Sequence, residues 1–142
     1  MKKWFVLAAM MVSLGAMAQG GYEIRVTFKP FKNQYVYLGH YFGKQYPIID
    51  SAKLDANSVA VFKGSKSLPG GIYLIGYPNR AGFFEVMIDK QQRFSIIADT
   101  MTIADKGVKF INSPDNDLFN AYQHFMGDKG KQISLNRELL KN

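Results

Sequence analysis

The 142-residue sequence has no cysteine, only two histidines and a single tryptophan, Trp4. Without a thiolate nucleophile the chain cannot itself exchange disulfides. Without disulfides, its folded part must stand on packing alone. His40 and His124 fall on separate expected elements with no ligand-spaced neighbour. Zinc wants three or four His, Cys or carboxylate ligands, so the reading expects no metal and no cofactor.

Long apolar runs are scarce as well. The one candidate, Trp4 to Ala18, falls short of the ~18 residues that span a bilayer. With Lys2 and Lys3 before it and Ala16-Met17-Ala18 after it, it has the pattern of a secretory signal peptide cleaved after Ala18, and a membrane anchor is the weaker alternative. The mature chain is expected to be exported to the periplasm or cell envelope and to lie at most on a membrane surface.

Catalytic motifs are missing too. No GxSxG or equivalent turn supports a nucleophile near Asp50-Ser51, and these residues read as a strand end with local backbone bonds. Asp89 and Asp99 flank one strand as turn-forming residues rather than as an acid and base pair. Pro69-Gly70-Gly71 lacks the Lys-Ser/Thr of a phosphate loop and reads as a hairpin turn. Asp115 and Asp117 begin like a calcium loop, but Phe119 stands at the next ligand position and the required Gly is absent. The chain is expected not to be an enzyme.

What is present is period-two alternation. In YEIRVTF, Tyr22, Ile24, Val26 and Phe28 share one face, as in a strand covering a core. Further strands are expected at QYVYLGHYFG, YPIIDSAKL, SVAVFKG, GIYLIGY, GFFEVMID, RFSIIAD and VKFI, with turn residues between them. The first two are expected to pair as a hairpin through Lys32-Asn33. The fold class is mainly β, an antiparallel sandwich or partly open barrel of about eight strands.

The rhythm turns helical at Ile111. Ser113 suits an N-cap, Pro114 the first helical position, and Asp115 and Asp117 the positive end of the helix dipole. Leu118, Phe119, Tyr122, Phe125 and Met126 share a face expected to lie on the β domain, while Asn120, Gln123 and His124 point away. Gly127 is expected to end this helix. A second helical pattern in KQISLNRELLKN has no stop signal, so the reading is of a connector running on. The expected organisation is a signal peptide at 1–18, a β domain at 19–112, a helix at 113–127 and the start of the connector at 128–142.

Two features suggest binding. Aromatics crowd one stretch: Tyr35, Tyr37, Tyr41, Phe42 and Tyr46 form a candidate stacking surface for a sugar, with Lys32 and Lys44 beside them. The stronger reading is that some are core residues and some are cross-strand pairs. Once Lys2 and Lys3 are cleaved, basic residues exceed acidic ones by about five, which suits an anionic envelope component. Export argues against nucleic acid.

The order of GYEIRVTFKPFKNQYVYLGHYFG, IIDSAKLD, VFKG, LPGGIYLI, FEVMIDKQQRFSI and NSPDNDLFNAY resembles the N-terminal β domain, of unknown function, of secreted thioredoxin-like proteins of the TlpA type. In that family a helical connector and a thioredoxin fold with a Cys-X-X-Cys pair follow. The resemblance implies a noncatalytic accessory domain that positions a redox domain or binds its client, an envelope protein. No position here matches a catalytic residue of that family. Where the family places a Gly before its F-x-F-x-G strand, this sequence has Asn57-Ser58, which puts that turn's geometry in question.

Overall fold

The structure, a computed structural model, describes residues 20–141, and the expected signal peptide lies outside them. All eight expected strands form: β1 (Tyr22–Lys29), β2 (Tyr35–His40), β3 (Ile48–Lys53), β4 (Val59–Gly64), β5 (Gly71–Gly76), β6 (Phe83–Ile88), β7 (Arg93–Asp99) and β8 (Lys109–Ile111). They make two four-stranded sheets, β4-β1-β7-β8 and β3-β2-β5-β6, stacked as a sandwich with no closed barrel.

Alternation explains the stacking. In β1, Tyr22, Ile24, Val26 and Phe28 are buried while Glu23, Arg25 and Thr27 are not. The facing sheet contributes Val36, Leu38, Tyr73, Ile75, Val86 and Ile88 to the same cluster. Each such side chain contributes about 1.5–3 kcal/mol by leaving water. Phe28 sits at the centre, with the rings of Phe31, Tyr77 and Phe84 packed edge-on at 5.1, 4.9 and 5.7 Å.

Two expectations about pairing fail. β1 and β2 are not a hairpin, because both edges of β1 are occupied, by antiparallel β4 and by parallel β7. The Lys32-Asn33 bend therefore carries the chain across to the other sheet, and the β1–β7 pair makes the first sheet mixed rather than antiparallel. Pro69-Gly70-Gly71 is likewise a crossing between sheets, not a hairpin turn. It is held by Gln92, whose side chain bonds the N–H and C=O of Leu68 at 2.8 Å each.

The Asn57-Ser58 turn keeps the geometry a glycine would give. Ser58 is buried with φ +67, in the left-handed region, and its carbonyl accepts from the Phe28 N–H at 2.8 Å. Asp55 secures the turn by accepting from the N–H groups of Asn57 and Val59.

A one-turn helix that the pattern did not announce, α1 (Ile103–Lys106), links β7 to β8. The last element is α2 (Pro114–Leu139). Contrary to expectation it runs straight through Gly127 and Gly130, neither of which takes a positive φ. A helix-interior glycine costs ~1 kcal/mol relative to Ala, a penalty a 26-residue helix absorbs.

Candidate functional site

Most of the face expected to lie on the sandwich turns away from it, and of its five residues only Phe119, near Met87, is half-buried. Leu118, Tyr122, Phe125 and Met126 are exposed, Leu118 by 72%, and Ile133 extends the same stripe. The hydrogen bonds that fix the helix to the sandwich come from amide side chains. Asn116, 0% exposed, lies against β6 and bonds the backbone of Met87 twice, accepting from its N–H and donating to its C=O at 2.7 Å each. Its amide thus stands in for a neighbouring strand along the exposed edge of β6, satisfying groups that are costly to leave unpaired. Asn116 also donates to Ser113 Oγ at 2.8 Å, and Ser113, although at the N-cap position, makes no side-chain cap bond.

Further along, Gln123 Nε2 donates to Glu85 Oε2 at 2.6 Å, and Asn120 and His124 stand over Gly107. A cleft of about 430 Å³ separates this part of α2 from β6 and β8. Glu85 joins three elements, since its other oxygen accepts from the Tyr41 hydroxyl in the β2–β3 loop. That bond is the main reason the Tyr41 phenol is pushed up to about 12, with burial and the carboxylate's charge adding to it.

The six residues proposed as a binding surface do not all meet. Lys32, Lys44 and Tyr35 are exposed, and no ring pair or ion pair joins them to the others among the described residues. Tyr41 and Tyr46 do come together. Phe42 and Gln45 exchange backbone bonds of 2.9 and 3.0 Å around a turn with Gly43 at φ +61 and Lys44 at its tip. That pairing sets the flanking rings edge to face at 5.4 Å. Phe42 itself points to solvent.

Residues from a distant hairpin complete the cluster. Phe83 lies 5.6 Å from Tyr46 and 6.5 Å from Tyr41, and the Arg80 guanidinium stands 4.9 Å over the ring of Tyr37. Register makes this possible, because Tyr37 on β2 and Phe83 on β6 both pair with Gly76 on β5, which lies between them. Phe83 and Arg80 were not foreseen. Their only sequence signals are the Pro78-Asn79-Arg80 turn and the start of the GFFEVMID strand, and neither says which tyrosine lies across the sheet.

The other sequence candidates have structural uses. Asp50 accepts from the Tyr22 hydroxyl at 2.7 Å and from the Ser51 N–H at 2.8 Å. Asp99 accepts from the Met101 N–H at 2.9 Å. Among the described residues, no three His, Cys, Asp or Glu side chains are grouped to hold a metal.

Residues 22–119 match the sequence model of a family described as Domain of unknown function (DUF4369), and the chain belongs to it. No curated protein and no solved structure matches the chain.

Proposed function

We propose that this DUF4369 member is a noncatalytic accessory domain of an exported redox protein, and that α2 is the surface on which its thioredoxin-like domain is held. The observation that carries this reading is the polar mounting of α2. Asn116 and Gln123 fix the helix to the sandwich, and a stripe of Leu118, Tyr122, Phe125, Met126 and Ile133 remains exposed. A helix whose apolar side faces away from its own domain is suited to covering another protein surface.

The resemblance to TlpA-type proteins supplies the occupant, since in that family a helical connector leads from this domain to the redox domain. The sandwich then acts as a rigid mount, and the chemistry belongs to the cysteine pair that this sequence lacks. Reading the gene downstream of the Asn142 codon tests the proposal: an open frame leading to a Cys-X-X-Cys is expected, and a stop codon there would count heavily against it. In the longer protein, the amides of residues 118–133 should show slower hydrogen exchange than in the 142-residue chain.

A further inference from the structure

We infer that the outer face of the β3-β2-β5-β6 sheet carries a site for a single sugar ring bearing a carboxylate, independent of whatever covers α2. The floor of this groove is glycine. Gly76 on β5 and Gly39 on β2 both occupy outward positions where side chains would otherwise fill the space. A Cβ on Gly39 would approach the Pro47 carbonyl to 2.9 Å, and one on Gly76 would approach the Tyr37 Cβ to 3.3 Å.

The walls are aromatic. Tyr37 and Phe83 stand two strand spacings apart, ~9.6 Å between backbones, with only Gly76 between them. Tyr46 leans in from the short turn above. Rings spaced in this way over a glycine offer apolar faces to the C–H face of a pyranose. Tyr37 and Tyr46, both lining the groove, carry hydroxyls that can bond the ring's polar edge. Arg80, at the rim, pairs with no carboxylate among the described residues and is positioned to receive one from the ligand.

Size and backbone pairing select this ligand over a peptide. The groove holds about 170 Å³, below the ~300–1,000 Å³ of clefts that bury larger ligands, so it takes one ring and leaves the rest of a glycan in solvent. A peptide that adds to a sheet needs an open edge, and the groove lies over β2 and β5, which are paired on both sides.

Amide chemical shifts of the full chain provide the test, with an oligogalacturonate, a neutral glucose oligomer and a proline-rich peptide as probes. The uronate should saturably shift Tyr37, Gly76 and Phe83 and bind about fivefold more tightly than the neutral sugar, as expected for one partly exposed ion pair. Arg80→Gln should abolish that preference. Tyr46→Ala should weaken both sugars about tenfold through lost stacking. Gly76→Leu should fill the site; should it misfold, Phe83→Ala, at an exposed position, provides the same readout with an unchanged thermal melt. Shifts produced by neither sugar, equal binding of the two sugars, or groove shifts produced only by the peptide would overturn the assignment.

Discussion

The sandwich interior and the seat of α2 solve the same problem with opposite chemistry. Between the sheets, apolar side chains from alternate positions meet, and Ile24, Val26, Val36 and Leu38 are wholly buried. Beneath α2, the contacts that fix position are amides: Asn116 on the Met87 backbone and Gln123 on Glu85. Area removed from water stabilises the first interface, and it tolerates small shifts. The second is set by a few directional bonds that admit one placement of the helix. A helix seated in this way keeps its apolar side available.

The comparison can be broken most severely from the interior. Phe28→Ala should cost about 3–5 kcal/mol through lost burial and a cavity among Phe31, Tyr77 and Phe84, read as a loss of cooperative unfolding stability in urea. Asn116→Ala should cost about 2–3 kcal/mol by stranding the Met87 N–H and C=O. Its signature is different: α2 should exchange its amides faster while the β1–β7 core amides keep their protection. Equal loosening of both regions would mean that the helix and the sandwich are one cooperative unit.

Alkaline titration contrasts regions by a different property. Of the eight tyrosines, Tyr22 and Tyr41 are both raised to about 12. Burial leads for Tyr22, followed by its bond to Asp50, whereas the Glu85 bond leads for Tyr41. Burial raises Tyr73 and Tyr77 as well. A raised phenol is protonated more readily in the folded chain than in the unfolded one. The stability it contributes is therefore whole below the ordinary value of about 10 and is lost as pH climbs from there through about 12. Ultraviolet titration should show Tyr22 and Tyr41 ionising late in that window, with unfolding in its upper part. Ionisation of Tyr22 and Tyr41 at the ordinary phenol value would remove both carboxylate bonds from the account.

The smallest effects belong to the surface and one turn. Leu118→Ser and Phe125→Ser should change the stability of the 142-residue chain by no more than about 0.5 kcal/mol, because neither side chain is buried, and a larger loss would mean the stripe is packed. Ser58→Gly should raise the thermal midpoint slightly, by about 0.5–1 kcal/mol of relieved left-handed strain, and a drop would show that the buried serine hydroxyl outweighs it.

Much of the fold was legible because strand periodicity is local. The alternation in YEIRVTF or RFSIIAD marks a strand whatever lies beside it. Partners were not legible, because a turn such as Lys32-Asn33 looks the same whether it folds a strand back or sends it to the other sheet. The helix misled for a related reason. Its apolar stripe was read correctly from spacing, but the stripe says only which side is apolar and not which neighbour it meets, and Asn116 gave no outward sign that a buried amide would seat the helix. At the groove and its margin, Tyr37, Tyr46 and the neighbouring Tyr41 stood out by composition. Arg80 and Phe83 did not, since they reach those tyrosines only through the registers of β2 with β5 and β5 with β6.

Because the chain has no cysteine, single thiols can report which side of α2 is covered. Labelling Leu118→Cys and Asn120→Cys variants of the 142-residue chain with a thiol reagent is the most direct test of the seat. The account predicts a rate near that of a free thiol at position 118 and a slower rate at position 120, which is half-buried. Protection at 118 with rapid labelling at 120 would contradict it and return the helix to an apolar seat on the sandwich.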